Sequence, residues 1–259
     1  MVTHQTGQKV TGFGLHHVSM TTTTAPIAAN PATNPAGNPA TNPATELAPG
    51  QCYPGDPRAF FAKAVEIAGI AIAAVRPEQM EIPTPCDQYD VRGLIGHLMM
   101  AIERAAIVGR DENPFAVGDE MEPLADDAWS AAWQNLALQV NSAWANDATL
   151  LRPTALPWAP LSGAQALGTY TSELTVHTWD LATATGQSPE WDNDTLAAGL
   201  AAMHGALPAV GRPEMFAAIR AQMGFTENEM TDPYGPAVPV AADAPLIDQL
   251  VAYNGRTPR

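Results

Sequence analysis

Apolar residues return every three to four positions through four long stretches of this chain. No succession of alternating apolar and polar segments is interleaved with them to build a parallel sheet. Such stripes predict amphipathic helices that bury one face against each other. The first opens at Asp56-Pro57, an acidic cap followed by proline at the first helical position, and carries Phe60, Phe61, Ala64, Ile67, Ala68 and Ala71 before stopping ahead of Arg76-Pro77. The second, about 91–108, follows Asp90 and turns Val91, Leu94, Ile95, Leu98, Ile102 and Ala105 inward. The third runs from about Ala125 to Ala145 with Trp129, Trp133, Leu136, Val140 and Trp144. The fourth runs from Gly163 to about Thr185 with Leu167, Tyr170, Leu174, His177 and Leu181, and Gly186 is suited to end it. The fold class predicted is therefore mainly all-α, a four-helix bundle. Additional C-terminal helices are expected at Asp194–Leu207, Glu214–Met223 and Leu246–Tyr253, with a proline-rich passage from Pro233 to Pro245. Three prolines within Leu150–Leu161 predict a loop or short hairpin.

The first fifty residues break the pattern. Asn-Pro-Ala recurs at Asn30, Asn34, Asn38 and Asn42. Proline at every fourth position removes backbone donors and forces the preceding residue to be extended. Few large apolar groups are present to offset the ordering entropy. Residues 1–50 are expected to be a disordered tail, and residues 51–259 one folded domain. The chain carries 12 Lys and Arg against 27 Asp and Glu, a net charge of -15. Lys9 and Glu46 are the charged residues of the first fifty, so the whole imbalance belongs to the folded part. An acidic body repels phosphate backbones and anionic membrane surfaces, which argues against nucleic-acid and membrane partners. No apolar run reaches the ~20 residues of a membrane span. The leader has no apolar core of a secretory signal, and a cytoplasmic location is expected. Two cysteines, Cys52 and Cys86, make neither a disulfide framework nor a C-x-x-C motif.

Chemistry is concentrated in three helical residues. Glu173 and His177 are four positions apart, which puts them about 40° apart on one helix face. His177 falls on an apolar stripe, a costly place for an imidazole without a partner. His97, at the edge of the second stripe, supplies a third candidate ligand. Two imidazoles and a carboxylate suit zinc, or nickel or iron, with one position left open. The residues alone leave a second reading, since a Glu–His pair at this spacing also forms as a local hydrogen bond. His4, His16 and His17 lie in the tail, and His204 reads as structural or surface. Cys86 reads as a packed connector residue, although a helix N-terminus can lower a thiol pKa. No nucleophile elbow, phosphate-cradling loop or His-Glu-x-x-His motif is present.

The stretch from Pro83-Thr84-Pro85-Cys86 to Val91-Arg92-Gly93-Leu94-Ile95-Gly96-His97-Leu98 resembles the TPCPGW-x-VRDLLAHL segment of the mycothiol-dependent maleylpyruvate isomerase N-terminal domain group, within the DinB/YfiT-like bundles. Glu173-Leu174-Thr175-Val176-His177-Thr178-Trp179-Asp180-Leu181-Ala182 through Gly186 resembles its E-x-x-x-H-x-WDLA-x-ATG signature. The ending around Val238–Pro245 and Gly255-Arg256-Thr257-Pro258 is similar to a subgroup known only as metal-binding proteins. The resemblance spans about residues 57–258. It implies a DinB-like four-helix bundle, metal ligands at His97, Glu173 and His177, and zinc as the usual divalent metal. It also implies use of a low-molecular-weight thiol such as mycothiol as cosubstrate, in transfer or isomerisation. The partners implied are a small thiol or electrophile, with the protein a monomer or homodimer. Asp87-Gln88-Tyr89 replaces the group's Pro-Gly-Trp, and Gly93 and Gly96 stand where Asp and Ala are common, which leaves the substrate open. The alternative functions are a non-catalytic metal-binding or regulatory module and, further off, a metal-dependent hydrolase.

Overall fold

Asp56 accepts a hydrogen bond from the amide of Arg58 at the start of the first helix, α1 (Pro57–Ala73), and Asp90 does the same from Gly93 for α2 (Val91–Gly109). The computed structural model describes residues 53–114, 124–154, 161–227 and 232–259. The remaining helices among them are α3 (Trp129–Ala143), α4 (Asp147–Leu151), α5 (Gly163–Thr185), α6 (Asn193–Ala206), α7 (Arg212–Met223) and α8 (Leu246–Tyr253). The proposed tail, residues 1–50, lies outside the described residues, as do Cys52 and Trp158.

Helices α1, α3, α2 and α5 pack in a closed ring, each touching the next, and this is the four-helix bundle. Its core holds Phe61, Leu94, Ile95, Leu98, Ile102, Trp133, Trp144, Leu167, Leu174 and Leu181. Two indoles are tied across the bundle: Trp133 donates to the carbonyl of Val65 at 3.1 Å and Trp144 to that of Ala105 at 2.9 Å. The outer side of α5 is covered by α6, and α8 lies on α6, around Val176, Leu196, Leu200, Leu250 and Val251. A third cluster, Met203, Leu207 and Phe216, fixes α7 at the end of α6.

α5 has to be buried on two sides while carrying many polar residues. It manages this by turning its threonine hydroxyls back onto its own backbone. Thr171, Thr175, Thr178 and Thr185 each donate to the carbonyl four residues earlier, at 2.6–2.9 Å. A capping box between Ser162 and Gln165 starts the helix, and Gly186 at φ 72° ends it.

Two local expectations are corrected. Leu150 and Leu151 are helical, because the Asn146 side chain caps a single extra turn that is too short to show a stripe. Beyond it only the ends of the proposed hairpin are described, an antiparallel bridge of Pro153 with Ser162, with Thr154 donating to Leu161 at 2.8 Å. The third helix starts at Trp129 rather than near Ala125: residues 126–128 form a turn, and Asp126 is taken up by an ion pair with Arg92. No strand occurs among the described residues, and no described helix is long and apolar enough to cross a membrane.

Candidate metal centre

α2 and α5 face each other in the ring and bring His97, Glu173 and His177 to one point. His97 Nε2 lies 3.0 Å from Glu173 Oε1, and His177 Nε2 lies 3.4 Å from the same oxygen. The two imidazoles meet edge to face, with ring centroids 4.6 Å apart at 75°. One donor atom from each of the three lies within 4.8 Å of the others. A tetrahedral ion with bonds of ~2.0–2.2 Å needs donor atoms roughly 3.3–3.6 Å apart, so small shifts suffice to seat one.

The other polar atom of every candidate ligand is also held. His177 Nδ1 is 3.1 Å from Asp180 Oδ2, and an imidazole donating there presents its Nε2 lone pair to Glu173. Asp180 is fully buried and is gripped by Arg256, whose Nη2 donates to Oδ2 at 2.9 Å and whose Nε lies 3.3 Å from both oxygens. His97 Nδ1 is 3.3 Å from the Tyr89 hydroxyl, and the Tyr89 ring stacks on the imidazole. Glu173 Oε2 accepts from the Tyr234 hydroxyl at 3.3 Å.

The electrostatics suit a cation. Burial disfavours a charged His177, but Glu173 and Asp180 outweigh it and push its pKa up to about 9. His97 moves the other way, lowered first by burial and then by the neighbouring His177. Burial alone would raise the Glu173 carboxyl, yet the two imidazoles hold it well below the ordinary carboxylate range. A cluster negative enough to protonate a buried imidazole is one where a divalent cation can replace the proton. By donor type, spacing and charge, the three residues fit such an ion.

Residues 61–182 match the sequence model described as the mycothiol maleylpyruvate isomerase N-terminal domain. This stretch is similar to that domain family. All three candidate ligands lie within the matched stretch, as does Asp180, whereas Tyr234 and Arg256 come from beyond its end. Two uncharacterized proteins of Mycobacterium tuberculosis, from strains CDC 1551 and H37Rv, are each 29% identical over 204 residues, covering 79% of this chain and all of the relative. No solved structure matches the chain.

A second grouping within the matched stretch, Cys86 with His177 and Asp180, also brings three ligand-type atoms together. It suits a cation less well. Burial pushes the Cys86 thiol up to about 11, so it stays protonated, and Asp180 is already engaged by Arg256 and His177. Cys86 is the packed connector residue that its position suggests. His204 is exposed on α6 beside Tyr253, and the tail histidines lie outside the described residues.

Sequence reasoning passed over Asp180, Arg256, Tyr89 and Tyr234. Asp180 carries a readable signal, because a carboxylate three positions after a histidine shares its helix face. Arg256 and Tyr234 carry none, since 76 and 61 residues separate them from the groups they hold.

Proposed function

We propose that this protein holds a divalent cation, zinc in the first instance, at His97, Glu173 and His177, and uses it to activate a small thiol such as mycothiol for transfer or isomerisation. One observation carries the reading: His97 Nε2 and His177 Nε2 both point at Glu173 Oε1, while the opposite nitrogen of each ring is hydrogen-bonded outward. When bound, the cation supplies Lewis acidity, which lowers the pKa of a thiol or water that meets it and polarises a carbonyl.

The chain's own residues do the rest. The Nε2 atoms of His97 and His177 bind, and Glu173 neutralises half of a double charge. Asp180 holds His177 in the tautomer that leaves Nε2 free, and Tyr89 fixes the plane of the His97 ring by stacking. The burial of Cys86 and its raised pKa count against it as the reacting thiol. This favours a separate small-molecule thiol, and the domain family's name makes mycothiol the first to try.

The test is to load the protein with cobalt and titrate it with mycothiol. The expected result is a saturable change in the cobalt absorption and thiol-dependent turnover of an electrophile above that of the metal-free protein. A spectrum unmoved by mycothiol would contradict thiol activation, even with the cation bound.

A further inference from the structure

The C-terminal segment crosses itself beside the metal centre. Gly255 sits at φ +85°, and a methyl group on its Cα would come within 3.2 Å of Gly235 Cα. The crossing is pinned by Val238 donating to the Ala252 carbonyl at 2.8 Å. Arg212, itself buried, donates from Nη1 to the Gly235 carbonyl and from Nε to that of Pro208, both at 2.7 Å. The residues flanking the two glycines, Tyr234 and Arg256, are the two that reach into the centre. One backbone contact therefore sets the position of both side chains.

We infer that this crossing makes Tyr234 and Arg256 positioning residues of the metal centre, so that the domain's three ligands are completed by a segment outside the matched domain. The inference rests on the cation reading above. Tyr234 occupies Glu173 Oε2 and leaves Oε1 to face the histidines, which makes Glu173 a one-oxygen ligand. Arg256 clamps Asp180, and Asp180 in turn sets His177. The centre so built offers two nitrogens and one oxygen, which favours zinc over calcium or magnesium, ions that prefer six or more oxygens.

The experiment measures zinc affinity of the full chain by competition with a chromophoric chelator, and the absorption of the cobalt form. Wild type, Tyr234→Phe and Arg256→Lys are compared, with melting curves to verify folding. Removing an outer partner of a ligand costs roughly 10- to 100-fold in affinity. Both variants are expected to lose zinc affinity by about that factor, and Tyr234→Phe to change the cobalt absorption as Oε2 is released. A role confined to folding would lower the melting temperature and leave the cobalt spectrum untouched. Folded variants with wild-type affinity and spectrum overturn the inference alone. A wild-type protein that binds no zinc overturns the cation reading and this inference with it. If Tyr234→Phe does not fold, Arg256→Lys decides.

Discussion

Replacing Asp180 by alanine is expected to damage stability and metal binding together. The carboxylate has no exposure to water and engages both His177 and Arg256. Burial alone would raise its pKa, and the His177 and Arg256 contacts hold it below the ordinary range. Its removal leaves a guanidinium without its counter-charge. Breaking a buried pair from one side costs about 3–5 kcal/mol, and the 15% exposure of the Arg256 side chain argues for the lower end. That is a large share of the roughly 5–15 kcal/mol that holds a domain folded. The released imidazole no longer presents Nε2 in a fixed direction, so zinc affinity should fall roughly 10- to 100-fold. Asp180→Asn keeps the volume and one acceptor for His177 and should lose less of both. Denaturant unfolding and chelator competition, run on the same samples, check the two effects. A stable Asp180→Ala protein with wild-type zinc affinity would mean that Asp180 holds nothing.

Trp144→Ala is expected to cost stability alone. Among the described residues Trp144 is the largest side chain that is fully buried, at 2% exposure, and its indole closes the end of α2 against Ala105 and Gly109. Emptying such a site removes apolar burial and leaves a cavity, for about 3–5 kcal/mol. No acceptor is stranded in an apolar pocket, because the Ala105 carbonyl belongs to a helix that bonds it internally. The carbonyl that the indole holds, Ala105, lies about two helical turns beyond His97 along α2. The variant should unfold at a much lower denaturant concentration, while the protein that remains folded binds zinc as wild type does. Setting this substitution beside Asp180→Ala separates loss of fold from loss of site.

Much of the architecture was legible because the local signals agree with one another. The Phe60–Ala71 and Val91–Ala105 stripes, the Asp56 and Asp90 caps and the terminal Gly186 each point to the helix that forms. α4 escaped because five residues cannot show a period, and the start of α3 was misplaced because Ala125 continues a stripe that tertiary contacts interrupt. The likeness to the domain family was legible in three segments, and the match over residues 61–182 contains the first and most of the second.

At the site, legibility followed distance along the chain. The Glu173–His177 spacing was visible because one helix carries both. His97, 76 positions from Glu173, could be nominated from its place at the edge of the second stripe, and the family likeness then joined it to the pair. Asp180 stood inside the quoted signature with no role assigned, although its spacing from His177 is itself a contact spacing. Tyr234 and Arg256 depend on a crossing of two glycine-containing segments that no periodicity encodes.

The most direct measurement is the metal content of tag-free protein, wild type beside His177→Ala, by elemental analysis after exhaustive dialysis against zinc at low concentration. His177 supplies one of the two convergent nitrogens and is nearly enclosed by Glu173 and Asp180. The expected result is close to one zinc per wild-type chain and a small fraction of that in a folded His177→Ala protein. Equal and near-stoichiometric zinc in both would contradict the metal centre described above.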